Sequence, residues 1–332
     1  MLCFIDTVTD PYWNLAAEEY LLYNMKEPVF RLWRNSPAVI CGKYQNARAE
    51  INSEFIRKNN IPVVRRLTGG GAVFHDLGNI NFTFIEKKRE GEDTSDMFRR
   101  FTMPIIEALQ ALGVDASLQG RNDLVIDGKK FSGNAICTHK DRVLQHGTLL
   151  FSASMRNLSG ALNTRPEKFI GKSVKSNVAR VTNISEHLPK EKAMDVLEFM
   201  NYLKEFITSR TDEEEYIIRD YTQEEYQAIT ELRNSKYATD EWNFGNSPEY
   251  TFNNTFRLPC GFFEIFLSIG QGTIKECRIM GDYFFLKPTE NICEALTGIP
   301  HTHEAIMKAL SPFDLKEYFG ADISEELASN MM

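Results

Sequence analysis

Three glycines in a row, Gly69-Gly70-Gly71, sit between Arg65-Arg66-Leu67-Thr68 and Ala72-Val73-Phe74-His75-Asp76. Each glycine weakens a strand and adds freedom to the unfolded chain, so packing gives no reason for three together. They make sense where backbone must come close to a ligand and turn its N–H groups toward an anion. The two arginines just upstream would then supply fixed charge for a phosphate or a carboxylate. A tight hairpin with glycines at positive φ and surface arginines would use the same residues, and on these residues alone the two readings stand level. The stretch has neither the GxxxxGK(S/T) spacing of a P-loop nor the GxGxxG spacing of a dinucleotide fold.

A second cluster runs from Gly120 to Ala135, GRNDLVIDGKKFSGNA. Asp127-Gly128 between two apolar stretches is a hairpin signal, and it would carry Lys130 back along a sheet beside Asn122 and Asp123. A lysine flanked by Phe131 and small residues could sit in a partly desolvated place where its charge acts strongly. An exposed hairpin lysine is the plainer alternative. A third piece, Gln145-His146-Gly147-Thr148-Leu149-Leu150, places one polar hinge in an apolar strand, where a lone histidine is more often a satisfied core residue than a ligand contact. A fourth, Gly171–Asn183 (GKSVKSNVARVTN), could close over a phosphate or be an ordinary basic loop. His301-Thr302-His303 lacks an acidic or cysteine partner at ligand spacing, so no metal site is expected there.

These pieces need elements to hold them. A helix is expected over residues 13–26, capped by Asn14. Short apolar runs at Val29–Trp33, Ala38–Cys41, Val63–Arg66, Ala72–Phe74 and Ile80–Ile85 read as strands of one sheet. Phe98, Phe101, Ile105, Leu109 and Leu112 predict a helix over Ser95–Leu112, stopped by Gly113 and kinked or delayed by Pro104. Strands follow at Leu124–Ile126 and Val143–Phe151, the latter interrupted by Gly147. Val196, Phe199, Leu203 and Phe206 return to helical spacing, whereas Asp212–Glu215 reads as a solvated turn or helix start. Near Trp242–Pro248 the pattern turns to loop. Alternation then resumes at Phe263, Ile265, Leu267 and Ile269, Gly270-Gln271-Gly272 turns, and a second strand runs to Met280. With a helix over His303–Leu310, this suggests a small α+β module.

The bulk numbers narrow the class. A chain of 332 residues, 42% hydrophobic and 25% charged, suits one large globular domain plus a small one. Its net charge of -8 argues against a dedicated nucleic-acid binder. No run of about eighteen apolar residues is present to span a membrane. The opening MLCFID has no basic start and apolar block, so no secretory leader is expected. Six cysteines (Cys3, Cys41, Cys137, Cys260, Cys277 and Cys293) are scattered without CxxC or Cys/His spacing, as expected of reduced, mostly buried thiols in a cytoplasm.

Taken in order, RRLTGGGAVFHDLGNINFTF at 65–84, GRNDLVIDGKKFSGNA at 120–135, QHGTLL at 145–150 and GKSVKSNVARVTN at 171–183 resemble the lipoate–protein ligase A family. The opening DPYWNLAAEEYLL, RLWRNSPAVICGKYQN at 31–46 and WNFGNSPEY at 242–250 extend the resemblance over nearly the whole chain. It implies an α+β fold of the biotin/lipoate ligase type. A large mixed-sheet catalytic domain would span residues 1–245, with a small C-terminal α+β domain over 246–332. It also implies a two-step reaction: lipoate attacks the α-phosphate of ATP to give lipoyl-AMP, and a carrier lysine then takes the lipoyl group. By the same resemblance Lys130 is the catalytic residue, touching both carboxylate and α-phosphate. Arg66, Gly71, Ala72, Val73, Phe74, Asn122, Asp123, Lys172 and Ser173 would bind ATP or the adenylate, with Asp123 on Mg²⁺. Gly71, His75 and His146 would join Lys130 on lipoate, and the 171–183 segment would cover the adenylate. The implied partners are lipoyl carrier domains of 2-oxoacid dehydrogenase complexes or the glycine cleavage H protein.

The family often carries KVSG where this chain has KFSG at Lys130–Gly133, which either repacks the core or reshapes the acyl pocket. The nearest rival is an octanoyl or lipoyl transferase of the same fold. One such type uses a cysteine where this chain reads Gly120-Arg121-Asn122-Asp123, and no cysteine stands there. A biotin ligase would show a GRGRRG-type loop in place of RRLTGGGAVFH. A non-catalytic carrier-binding protein is the reading from a different class.

Overall fold

In the computed structural model, the residues described are 1–45, 47–162, 181–209, 215–244, 252–270 and 272–332. The strands in chain order begin β1 (Leu2–Ile5), β2 (Val29–Trp33), β3 (Ala38–Cys41), β4 (Val63–Arg65), β5 (Val73–His75), β6 (Asn79–Lys87) and β7 (Ala116–Gln119). They continue β8 (Asp123–Ile126), β9 (Lys129–His139), β10 (Arg142–Leu150), β11 (Ile217–Ile218), β12 (Phe252–Leu258), β13 (Gly261–Gly270) and β14 (Thr273–Tyr283).

The five early apolar runs do not share one sheet. β2 and β6 lie in an eight-stranded mixed sheet of order β11-β1-β2-β6-β10-β9-β8-β7, whereas β3, β4 and β5 form a separate sheet of order β4-β3-β5. Alternation marks a run as a strand but does not name its neighbour. β10 is continuous through Gly147, which pairs with Phe82 on β6 and Asn134 on β9. The expected interruption is absent because glycine is needed there for clearance: a Cβ on Gly147 would stand 2.2 Å from Asn134 Oδ1. Cys137, expected beyond the lysine strand, lies on β9 itself.

Helix α1 runs over Pro11–Asn24 and is capped by Asp10, whose side chain accepts from the Tyr12 N–H, with Pro11 in its first turn. Asn14 is therefore not the cap. It is buried inside the helix, where its amide donates to the Val8 and Arg34 carbonyls and its oxygen accepts from Arg31. Helix α2, Thr94–Ala111, is one element with Pro104 inside it. Pro104 removes the bond to the Arg100 carbonyl, but Phe98, Phe101, Ile105 and Leu109 are buried against the sheet and outweigh that loss. Helix α3 covers Val196–Thr208, and the acidic 212–214 stretch lies outside the described residues.

Among the described residues the C-terminal region has three strands, β12-β13-β14, and four helices at Glu290–Leu296, His303–Leu310, Leu315–Phe319 and Ser324–Ser329. It is richer than the two strands and one helix expected, because β12 alternates half-buried with exposed residues and carries little apolar signal. The expected boundary at 245/246 falls outside the described residues. The buried cluster of this region takes in Leu21, Leu22, Val29 and Ile85 from the large sheet and α1. Tyr44 stacks on Tyr283 with ring centroids 5.5 Å apart and donates its hydroxyl to Glu290 Oε2 at 2.7 Å. His301 and His303 take separate partners, the Met331 carbonyl and Glu325. Among the described residues no helix is long and apolar enough to cross a membrane.

Candidate active site

The glycine turn joins β4 to β5, and Arg66 sets its shape. This buried guanidinium donates from Nε to Thr68 Oγ1 (2.9 Å), from Nη1 to the Ile40 carbonyl (3.1 Å), and from Nη2 to the Gly69 and Gly71 carbonyls (2.6 and 2.9 Å). The turn is wrapped around a planar fork that a point charge could not replace. Gly70 has φ +88°, a conformation glycine adopts without strain, and its N–H donates to the Tyr283 carbonyl at 3.0 Å. A Cβ on Gly69 would stand 2.2 Å from that same carbonyl oxygen. Burial pulls the Arg66 pKa down to about 10, so it stays charged at neutral pH. No carboxylate pairs with it among the described residues, which leaves the turn attractive to an anion.

Arg65 behaves differently from the sequence expectation. Its guanidinium is consumed by the carbonyls of Gly42, Lys43, Gln45, Trp242 and Asn243, and it does not line the cavity. One arginine of the two serves the site and the other braces the scaffold.

Opposite the turn lies the β8–β9 hairpin. Asp127 (φ 51°) and Gly128 (φ 72°) are both left-handed, the two-residue turn that the DG pair specifies. It returns Lys130 to Asp123, and Lys130 Nζ pairs with Asp123 Oδ1 at 2.7 Å, the two side chains being 39% and 41% exposed. Gly133 clears the ground under the lysine, since a Cβ there would stand 2.9 Å from Nζ. Lys129 is exposed. Phe131 is fully buried in the apolar cluster with Phe98 and Phe101 and does not line the cavity.

Turn, hairpin and β10 enclose a cavity of about 490 Å³. Its walls bring together Arg66, Gly71, Ala72, Val73, His75, Asn122, Asp123, Lys130 and His146. Phe74 is not among them. The alternation of β5 sends it the other way, into an apolar cluster with Val39 and Cys41. Lys172 and Ser173 lie outside the described residues. Leu15, Trp33 and Ile40 add apolar wall, and Arg257, Asp282 and Phe284 reach in from the C-terminal region. Those last three carry no motif, and no local signal could have placed them here.

His75 has its protons fixed by its neighbours. Arg31, which can only donate, bonds Asn14 Oδ1 at 2.6 Å; Asn14 Nδ2 donates to Asn35 Oδ1 at 2.9 Å; Asn35 Nδ2 donates to His75 Nδ1 at 3.1 Å. The His75 proton is therefore on Nε2. His75 lines the cavity, and its buried Nε2 has no protein acceptor among the described residues. Burial, aided by the Arg66 charge, draws the His75 pKa down to about 3, so the ring is a neutral donor. A buried donor without a protein partner is what a cavity built for a polar ligand displays.

Residues 10–208 match the model of the lipoyl protein ligase A/B catalytic domain, and residues 247–331 match that of the bacterial lipoate protein ligase C-terminus. The chain belongs to the lipoate–protein ligase family. Its activity is lipoate–protein ligation. Lipoate–protein ligase 1 of Staphylococcus aureus is 40% identical over 317 residues, covering 95% of this chain and 94% of the relative. Among solved structures, P. falciparum LipL1 in complex with lipoate superposes over 99% of this chain and 98% of its own, with TM-score 0.76 and 25% identity. A lipoate–protein ligase A bound with ATP covers 74% of this chain and 99% of its own, with TM-score 0.63 and 28% identity.

Proposed function

We propose that this cavity joins lipoate to ATP and then passes the lipoyl group to a lysine of a lipoyl domain, with Lys130 as the catalytic residue. The observation that carries the reading is the position of Lys130 Nζ, held by Asp123 at 2.7 Å on the same cavity wall system as the glycine turn. A free carboxylate resists amide formation because oxide is a poor leaving group. In the first step a lipoate carboxylate oxygen attacks the α-phosphorus of ATP, the bond to pyrophosphate breaks, and lipoyl-AMP forms. In the second, the ε-amine of the carrier lysine attacks the acyl carbonyl, AMP departs, and the amine's proton is lost to solvent. Neither step needs a nucleophile from this chain. Both need charge held in place as oxygens become more negative, which a positioned ammonium supplies.

Lys130 would bridge carboxylate and α-phosphate, the Gly71–Val73 backbone and the Arg66 charge would hold phosphate, and Asn122 would line the adenylate. The His75 Nε2–H would donate to a polar group of the substrate, and Leu15, Trp33 and Ile40 would cover acyl methylenes at roughly 0.8 kcal/mol each. Asp123 and Asp282 on the cavity wall are hard oxygen donors of the kind Mg²⁺ takes alongside phosphate oxygens, and Asp123 is the residue proposed to hold it. Residues 1–245 would form the catalytic domain and 246–332 the module that closes it. The carrier would be a lipoyl domain of a 2-oxoacid dehydrogenase complex or the glycine cleavage H protein, in the cytoplasm where ATP is also available.

The direct test incubates the protein with ATP, Mg²⁺, lipoate and each candidate carrier, and reads the carrier by intact mass. One lipoyl group per carrier with ATP and none without it is expected. Acylation of the carrier in the absence of ATP would replace the ligase with a transferase. The cysteines sharpen this. Burial, with Glu18 adding to it, pushes the Cys137 thiol up to about 12, and both Cys137 and Cys41 are buried and off the cavity wall. The Cys137 thiol is therefore protonated at neutral pH, and neither cysteine is placed to take up an acyl group in the cavity. Cys41→Ser with Cys137→Ser should therefore keep ATP-dependent ligation within about tenfold, any loss tracking stability. An acyl–enzyme adduct abolished by Cys137→Ser would overturn the reading.

A further inference from the structure

Behind the cavity wall lies a hydrogen-bond network that converges on one buried carboxylate. Trp33 Nε1 donates to Thr83 Oγ1 at 2.9 Å, and Thr83 passes its own hydroxyl proton to Glu18 Oε1 at 2.5 Å. From the other side Arg66 Nε donates to Thr68 Oγ1 at 2.9 Å, Thr68 Oγ1 meets His146 Nε2 at 2.8 Å, and His146 Nδ1 meets Glu18 Oε2 at 2.9 Å. Trp33, Arg66 and His146 line the cavity; Glu18 and both threonines are buried behind it.

Donor and acceptor capacities fix every proton in this network. Indole and guanidinium nitrogens only donate, and an ionised carboxylate only accepts. The Thr68 hydroxyl, fully buried, has one acceptor within reach among the described residues, His146 Nε2, so that nitrogen must be unprotonated. The single imidazole proton is then on Nδ1 and points at Glu18. Were Nε2 protonated, two hydrogens would compete for one gap and the hydroxyl would have no acceptor.

We propose that Glu18 is the positioning residue of the cavity: as the common acceptor of two one-way donor chains, it fixes His146 as the Nδ1–H tautomer and ties the Trp33 wall to the Arg66-built glycine turn. The consequence is a chemical one. His146, lining the cavity, presents no N–H to the substrate, while His75 keeps its proton on a buried Nε2 that has no protein partner among the described residues. The two histidines are thereby set apart as an inert wall and a donor. This deepens the proposed ligase reading and rests on it for its effect on activity, though the tautomer itself does not.

The test uses full-length protein labelled with ¹⁵N-histidine, whose six histidines are few enough to resolve. Long-range ¹H–¹⁵N correlation at neutral pH, with His146→Gln to assign the signal, should give a neutral ring protonated on Nδ1. In Glu18→Gln the ring should lose that single tautomer, and lipoate activation should fall by about tenfold to a hundredfold, the loss of a hydrogen bond to a charged group. Thr68→Val should reproduce the fall and Thr68→Ser should recover most of it, which a role in packing alone would not give. A wild-type ring protonated on Nε2, or on both nitrogens, would overturn the proposal. So would Glu18→Gln with the wild-type tautomer and rate. If Glu18→Gln does not fold by thermal melt, the two Thr68 variants decide. The ring is observed without substrate, so a protein that ligates nothing would remove the ligase reading while leaving this measurement standing.

Discussion

Lys130→Ala should fold as well as the parent protein and lose pyrophosphate release from ATP and lipoate by at least about 10²-fold, the usual cost of one preorganised charge donor. The two halves of that expectation have separate grounds. Folding should survive because the Lys130–Asp123 pair is about 40% exposed on both sides, and such a pair contributes roughly 0–1 kcal/mol. Activity should not survive, because nothing else on the hairpin places a cation there; Lys129, the preceding residue, is exposed outside the cavity. Lys129→Ala is therefore the control, and it should be nearly silent. A melting temperature equal to the parent's with near-parental pyrophosphate release from Lys130→Ala would remove this lysine from the mechanism.

What the sequence discloses and what it hides divide along the range of the interaction. Asp127-Gly128 announced its turn because two left-handed residues in a row leave few alternatives, and that turn, with the β-bulge at Leu124/Val125, brings Lys130 to Asp123. The His303–Leu310 helix was equally legible. Arg65 and Arg66, adjacent and chemically identical, looked like one feature. Only the fold separates them, spending Arg65 on five carbonyls and curling the glycine turn around Arg66. Asn14 looked like a cap because a polar residue near a helix start usually is one, and its true role depends on Arg31 on a neighbouring strand. Glu18 was invisible for the same reason. A glutamate between alanine and glutamate in a helix reads as solvated surface, and only β6 and β10 packing over α1 bury it against Thr83 and His146. The C-terminal contribution of Asp282 and Phe284 is a contact across more than half the chain, and no spacing rule reaches that far.

Arg66 should be the position at which fold and function fail together. Its fork fills four acceptors at once: Thr68 Oγ1 and the carbonyls of Ile40, Gly69 and Gly71. Arg66→Ala strands these buried groups, at about 1–3 kcal/mol each where water cannot reach them, and we expect a loss of at least about 3 kcal/mol of stability. The glycine turn would then have no reason to keep the shape that brings Gly70 N–H to the Tyr283 carbonyl, so the C-terminal region should loosen from the cavity too. Arg66→Lys separates charge from geometry. An ammonium keeps the positive charge but has three donors on one nitrogen and cannot span acceptors laid out for a planar guanidinium. If charge alone mattered, Arg66→Lys would restore ATP-dependent ligation. We expect it instead to recover part of the stability in a denaturant titration and little of the activity, because the turn's carbonyls, and with them the turn residues that line the cavity, would no longer be held in register. A lysine variant with the parental unfolding midpoint and ligation rate would show that the turn keeps its form without the fork.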